Sequence, residues 1–547
     1  MLFTLAVVLY VFAILCEVSA AASFLSTLAE HPRQLLEESM DWLDAKYDPE
    51  AGYLYDLSAA AALRHDIRNS AWYAVGLLAR NRDGDVQQAT KIIKNVIRGQ
   101  FKDPAKQWYG TYQKYPEEPP VGSVSYPPKI YDTWDPNWRG FVSTAFIIGL
   151  EEFGHLITPD ITRLVQESIY NATVGDSYRV GGVDDDNLYP SYSNPALMRA
   201  FASSWTGKMF NDENMTRAGE TYAKEIIDLF DRANTLSEFN SGTYTGVSIV
   251  ALTTWAKYSP DTSIMKTKGV QMLQETWKMV GDLYHPQLKN LAGPWDRGYG
   301  FDMNKYFSII AAHIWCLIGK SAAPVIDKVP MMSHSADFAI SPLVAILSPF
   351  HDKLVPGTTV GSLQNFQGEH TVDTSAYSIP YDSYPRQITA WLDDNISIGG
   401  ESFNESVIGG PAINPSQFNP AVIQWNTGNE VGFITLYATE PSINAIARPG
   451  SLNITYPLGN SSSTFQLLIS PFRKKPEVST WKDLQGLNIK VSGTIDPKYS
   501  VSSSFTDDAI NDFMFWNFTY SMPPQSRLVP NILLEVELSG ADSTRVS

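Results

Sequence analysis

Cysteine is almost missing from this chain: in 547 residues there are two, Cys16 and Cys316. Cys16 lies in an apolar amino-terminal run. With that run removed, no intrachain disulfide can form and no Cys-dependent zinc site can be built. Cys316 stands in "IIAAHIWCLIG", an apolar helical stretch where a small buried hydrophobe is expected rather than a nucleophile. Basic runs are also missing, as is any glycine-rich phosphate loop followed by Lys and Ser or Thr. The formal net charge of −17 would repel nucleic acid or an anionic membrane as a main partner. Beyond the amino terminus no stretch is apolar enough to span a bilayer. No motif calls for a cofactor, and no metal is expected. "GGVDDDNLYPSYSN" holds three consecutive acids, Asp184 to Asp186, but not at the spacing of an EF-hand loop, and it reads as a solvated turn.

The residues present point to a sizeable secreted protein. Hydrophobic residues make up 44% of the chain, enough for large cores, and the length suggests roughly two to four domains. Charged residues are only 18%, as in secreted globular proteins. The start, "MLFTLAVVLYVFAILCEVSAAAS", has an apolar run from Leu2 to Leu15 and a V-x-A pattern ending at Ala20. That run is short for a membrane span, so residues 1–20 are expected to be a signal peptide, leaving no membrane anchor after cleavage. Seven N-x-S/T sequons follow, at Asn171, Asn214, Asn395, Asn404, Asn453, Asn460 and Asn517. Together these features predict a glycosylated extracellular protein.

Two periodicities divide the rest. From residue 30 to 325 apolar residues recur at helical spacing in roughly ten segments, among them "PRQLLEESMDWLDAKY", "TRAGETYAKEIIDLFDRAN" and "TGVSIVALTTWAKYS". No motif recurs at a constant period, which excludes a solenoid. Helical hairpins closed into an (α/α) toroid, an inner layer within an outer one, fit this pattern. From 340 to 547 polar and apolar residues alternate in short runs bounded by Gly, Pro, Asn and Asp, such as "EVGFITLYAT" and "LLEVELS". An antiparallel β-sandwich is expected there.

Two polar stretches interrupt the helical half. "EFNSGTYTGV" (Glu238 to Val247) places an acid, an amide, hydroxyls and a phenol at the mouth of a hydrophobic helix. "GPWDRGYGFDM" (Gly293 to Met303) does the same some fifty residues later, and the two are expected to wall a cleft. "NSGTYTGVSI" resembles the Y-T-G stretch that carries the catalytic tyrosine of hyaluronate and chondroitin lyases. The toroid-then-sandwich order is likewise similar to the polysaccharide lyases acting on chondroitin, hyaluronan, heparin or alginate. The resemblance implies a polysaccharide substrate and places Tyr244 at the tyrosine. Those lyases usually have a histidine a few residues upstream, where this chain has Glu238, Phe239 and Asn240. Only a histidine distant in sequence, such as His285 or His370, is left to approach.

The residue types allow two chemistries. β-Elimination at a uronic acid needs the C5 proton removed, the carboxylate neutralised and the leaving oxygen protonated. Tyr244 near a cation suits the proton transfers, and Asn240 with Arg297 suits the carboxylate. Glycoside hydrolysis needs two carboxyls, which Glu238 and Asp296, or Asp302, supply. Substrate-binding walls are expected from "WDPNWRG", with Trp134, Asn137, Trp138 and Arg139, and from Trp295 and Tyr299. The same residues admit plainer readings: Asn240 as a helix cap, Asp296–Arg297 as an ion pair tying loops, "WDPNWRG" as a loop clasp. A secreted lyase-type enzyme is the leading expectation. A hydrolase, a toroid cyclase or isomerase of a hydrophobic metabolite, and a non-catalytic glycan-binding protein are the rivals.

Overall fold

The computed structural model describes residues 24–56, 64–382, 384–405, 417–428, 430–470, 478–504 and 513–539. The expected signal segment and Cys16 lie outside them. The helical half contains α1 (Glu30–Asp44), α2 (Ile67–Arg80), α3 (Asp85–Arg98), α4 (Trp138–Phe153), α5 (Pro159–Ser177), α6 (Ser193–Phe210), α7 (Glu213–Phe230), α8 (Gly242–Tyr258), α9 (Ile264–Leu283), α10 (Ile309–Ile318), α11 (Ser341–His351) and α12 (Gly357–Gln364).

Burial sorts these helices into two layers. In α2, α4, α6, α8, α10 and α11 most residues are buried, with no solvated face. Helices such as α3 and α7 bury only a stripe and turn charged residues outward. A helix that is apolar all round belongs inside, and an amphipathic one covers it. The packing follows: α2, α4, α6, α8 and α10 contact one another in that order, and α11 closes the ring against α2. The amphipathic helices pack on the outside, each hairpin pairing an inner helix with an outer one. Among the described residues no helix is long and apolar enough to cross a membrane.

The connections make the two ends of the ring unlike. Inner-to-outer turns are short: 81–84, 154–158, 211–212 and 259–263. Asn81 and Asn211 end their helices with φ of 48° and 56°, a left-handed conformation that asparagine tolerates. Outer-to-inner connections are long, at 99–137, 178–192, 231–241 and 284–308. All the long polar loops, together with the inner-helix N-termini, therefore lie at one end.

The β half follows the helices as one antiparallel sheet of twelve strands: β1 (His370–Ala376), β2 (Arg386–Asp393), β3 (Ile396–Asn404), β4 (Ala421–Asn426), β5 (Val431–Leu436), β6 (Ser442–Arg448), β7 (Ser451–Thr455), β8 (Thr464–Ser470), β9 (Leu487–Gly493), β10 (Tyr499–Ser504), β11 (Phe515–Ser521) and β12 (Asn531–Leu538). Strand order is β9-β12-β7-β6-β3-β4-β5-β8-β11-β10, with β2 also paired to β3 and β1 to β2. β3 joins the limbs: Ile396–Gly400 pairs with β4, while Phe403 and Asn404 pair with β6. The sheet curls so that Ile423 and Phe518 from one limb share a core with Ile454 and Leu534 from the other. The periodicities predict helices and then antiparallel strands, and that is the order found.

The two halves meet at the long-loop end. Trp295 and Asn419 exchange backbone hydrogen bonds of 3.1 and 2.9 Å. Beside them the Gly293 carbonyl lies so close to Gly399 of β3 that a Cβ there would sit 1.8 Å from its oxygen. Only glycine fits. Gly399→Ala is expected to push the 293–297 loop off the sheet and lower stability by about 3 kcal/mol. Gly361→Ala in α12, with nothing within 4 Å of its Cβ, should instead be neutral or raise stability by up to about 1 kcal/mol. Urea unfolding of both variants checks the pair.

Candidate functional site

The two polar stretches do not face each other across a gap; they are clasped into one wall. Phe239 and Asp296 form backbone-level bonds in both directions: Asp296 N–H donates to the Phe239 carbonyl at 3.0 Å, and Phe239 N–H donates to Asp296 Oδ2 at 3.3 Å. Asn240, at φ 53°, spends its amide on the Ala292 and Pro294 carbonyls, at 2.7 and 2.9 Å. Ser241 caps α8 by accepting from Tyr244 N–H at 3.1 Å and donates to the Arg297 carbonyl at 3.3 Å. One serine thus fixes the backbones of the tyrosine and the arginine together.

Arg297 is the hub. It also has a left-handed backbone, φ 52°, unusual for a residue other than glycine and costing roughly 1–3 kcal/mol. Its Nη1 donates to Glu238 Oε1 at 2.8 Å, while the guanidinium lies 4.0 Å from the ring centre of Tyr244 and 4.7 Å from that of Tyr192. Glu238 is held from its other oxygen by Asn194, whose backbone N–H and Nδ2 donate at 3.0 and 2.8 Å. The Arg297 side chain keeps 22% of its surface exposed, so donors remain for an anionic ligand. Burial alone would lower its pKa, but Tyr244, Tyr192 and Glu238 outweigh it and the cation is secure.

The phenols form a second group. Tyr244 and Tyr299 share a short hydrogen bond between hydroxyls. Burial pushes the Tyr244 phenol well above its ordinary range; Arg297 opposes that shift and Tyr299 adds to it. The His334 ring lies on Tyr299, 4.6 Å between centres. Nearby are Asp337, whose carboxyl burial pushes upward against Arg68 and His334, and Asp135, raised by burial against the Asn137 N–H. Arg68, in the first turn of α2, sits over Trp138 at 5.6 Å.

Behind Arg297, its neighbour Asp296 turns the other way, to the β half. Arg386 of β2 donates from Nη1 to Asp296 Oδ1 at 2.8 Å and from Nε to Asp382 Oδ2 at 2.6 Å, with Glu401 Oε1 3.6 Å away. Three buried carboxyls surround this arginine. Burial raises Asp296 to about 6, offset in part by Arg386 and reinforced by Asp382. Glu401 is raised well above the carboxylate range by burial and by Asp296. A cavity of about 240 Å³ opens between the halves here, lined by Tyr192, Glu238, Asp296, Arg297, Tyr381, Arg386 and Phe418 among others.

Other expected residues are placed elsewhere or differently. Trp134 is 1% exposed and packs beside Trp108; Trp295 is 3% exposed and stacks on Phe301. Arg139 is buried, donating to the Tyr109 and Gln107 carbonyls at 2.9 and 2.8 Å, and Asn137 accepts from Arg179 at 2.9 Å. "WDPNWRG" is therefore a clasp that runs into α4, with Trp138 buried beneath Arg68. Asp302 lies in a separate depression with Lys305. Asp296 and Arg297 do not pair with each other. His285 stacks on Phe366, and His370 bonds the Gly368 and Asp282 carbonyls, both away from Tyr244. In the acidic turn Asp184 and Asp185 are solvated, while Asp186 pairs with Arg179. Cys316 is buried. Of the sequon asparagines, Asn214 and Asn460 are exposed and Asn171, Asn395, Asn404, Asn453 and Asn517 half-buried, with Asn171 accepting from Tyr109 at 2.8 Å. Among the described residues no three acidic, His or Cys side chains form a metal-binding group. Tyr192, His334, Asp337, Arg68 and Arg386 are site residues that sequence reasoning missed. Tyr192 alone left a signal, preceding the Ser193–Asn194 helix start.

The Arg386 cluster sets an acid-favoured stability. A buried acid whose folded pKa exceeds its unfolded value binds a proton that the unfolded chain has released, so stability falls as pH rises between the two values. For Asp296 that window runs from about pH 4 to about 6, and Glu401 extends the same sign upward. Urea unfolding at pH 5 and pH 7.5 is expected to show greater stability at the lower pH from this cluster, and Glu401→Gln should flatten the difference.

Comparison with known proteins gives the following. No curated protein matches the sequence. Two solved structures of a heparinase III, one with methylated lysines, align over 93% of this chain and 84% and 85% of theirs. Their identities are 10% and 9% and their TM-scores 0.31 and 0.30, values from which neither shared fold nor shared activity follows. Residues 368–537 match a family described as a domain of unknown function, DUF8770. Residues 33–349, more than half of the chain, match the family described as a domain of unknown function, DUF8769, and the chain belongs to that family.

Proposed function

We propose that this protein is an extracellular enzyme that cleaves an acidic glycan by β-elimination, with Tyr244 transferring the protons and Arg297 holding the uronate carboxylate. The supporting observation is the Tyr244–Arg297 pair, a phenol bonded to a second phenol with a guanidinium 4.0 Å from its ring. The reaction balances on this one side chain. Tyr244 as phenolate takes the C5 proton, the C4–C5 double bond forms as the C4–O bond breaks, and the phenol returns its proton to the leaving oxygen. Tyr299 donates to the phenolate, and Arg297 favours both that charge and the developing charge on the substrate. No water is consumed.

A hydrolytic reading has one point in its favour: Glu238 and Asp296 line the same cavity, and Asp296 is raised to about 6. Against it, each carboxyl is held by an arginine and by backbone or amide donors, which leaves neither free to act on water.

The two readings differ in their products. Elimination yields an unsaturated uronate that absorbs in the near ultraviolet, one for each new reducing end; hydrolysis yields reducing ends alone. With uronate-containing glycans, Tyr244→Phe is expected to lower kcat/KM by about a hundredfold or more. Because burial keeps Tyr244 protonated at rest, wild-type kcat/KM should climb about tenfold per pH unit between about pH 7 and 9. New reducing ends without absorbance, lost in Glu238→Gln, would replace this reading with hydrolysis.

A further inference from the structure

The cavity between the halves has features that the proton chemistry at Tyr244 does not use. Four charged side chains line it, and they cancel: Glu238 is paired with Arg297, and Asp296 with Arg386. Behind Arg386 stand two more carboxyls, Asp382 and Glu401, so that guanidinium is fully committed among the described residues. A uronate carboxylate on the Arg386 side would find that cation already shared among three acids. Burial raises Asp296, Asp382 and Glu401, and neighbouring acids add to the shift at Asp296 and Glu401, so a further carboxylate on this side would be poorly accommodated. The rest of the lining is aromatic or neutral. Tyr192 comes from the helical half and Tyr381 and Phe418 from the β half, the arrangement that stacks the apolar face of a sugar ring.

Two polar atoms of the lining have no protein partner. Ser191 Oγ is buried, the residue being 4% exposed, and Asn187 Oδ1 is buried too; neither is hydrogen-bonded among the described residues. Buried polar atoms are nearly always satisfied, so a donor–acceptor pair left open on a cavity wall marks the place of a ligand with hydroxyl or amide groups. At about 240 Å³ the space falls below the range of drug-sized pockets and suits one small ring.

We infer that the cavity between the helical and β halves is a binding subsite for an uncharged sugar ring, stacked on Tyr381 and Phe418 and hydrogen-bonded by Ser191 and Asn187. It rests on the proposed function only in being the neighbour of the Tyr244 centre across Arg297 and Tyr192. Together they describe a glycan in which an acidic residue adjoins a neutral one.

Binding is tested apart from turnover, by isothermal titration of full-length Tyr244→Phe protein with two probes: a trisaccharide of N-acetylglucosamine and a trisaccharide of galacturonic acid. The neutral probe is expected to bind. Added Phe418→Ala should weaken it about tenfold, and added Ser191→Ala about fivefold. Removing an unpartnered buried hydroxyl costs the fold nothing, so Ser191→Ala should keep its unfolding temperature, and a loss of affinity then reports on the ligand. No binding of the neutral probe, binding unmoved by both variants, or tighter binding of the uronate probe weakened by the same variants would each overturn the subsite. If glycans give no ultraviolet product while the neutral probe behaves as expected, the elimination reading falls and the subsite stands.

Discussion

The cleft depends on two adjacent residues pulled in opposite directions. Asp296 reaches back to Arg386 of the sheet, and Arg297 reaches forward to Glu238 at the mouth of α8. Each pair joins segments far apart in sequence, and each acid is buried. A buried carboxylate without its arginine would cost several kcal/mol, so neither contact can be relaxed independently. The left-handed backbone at Arg297 is what lets consecutive side chains diverge in this way. The junction of the two halves and the position of the cation over Tyr244 are thus set by one short loop.

This constraint also reconciles an acidic chain with the anionic ligand proposed for it. A net charge of −17 governs long-range approach, but screening confines it to about a Debye length, and the local field belongs to the cleft. There the inner helices present their N-termini, Arg297 and Arg68 keep a minor part of their surface exposed, and the carboxyls of Glu238 and Asp296 are paired with arginines. Helix N-termini add partial positive charge within a turn of their ends. The same ring geometry that buries apolar helices therefore collects positive potential where the long loops gather.

Much of the fold was legible because period is a local property. Inner helices such as α8 and α10 read as apolar runs, outer ones such as α7 as stripes, and β12 as a short alternating strand, whereas β5, also expected to alternate, is buried throughout. Tyr244, Arg297, Glu238 and Asn240 were legible for a related reason: polar groups are conspicuous against a hydrophobic helix start. Partnership was not legible. Nothing in "RQITAWLD" announces that Arg386 meets Asp296, 90 residues earlier in the chain, and nothing in "MMSHSADF" brings His334 onto Tyr299. Tryptophans misled in the other direction. Trp134 and Trp295 stand in polar loops, yet each turns its ring into the core, because an indole in a loop has the same sequence signature whichever way it faces.

The division of labour at the site follows from which groups are already occupied. Carboxylates near the cleft wall serve as struts: Glu238 accepts from an amide, a backbone N–H and a guanidinium, and Asp296 from a backbone N–H and a guanidinium. Protonating either acid would strand donors that now tie segments of the wall together. Phenols have no such commitment. Tyr244 and Tyr299 bond each other, and a hydroxyl can exchange donor for acceptor roles without leaving its partner unsatisfied. Burial makes the phenolate costly, and Arg297 at 4.0 Å offsets part of that cost at the position of the proposed proton transfer. With the acids committed to holding the halves together, the tyrosines are the groups at this wall that the proposed proton chemistry can use.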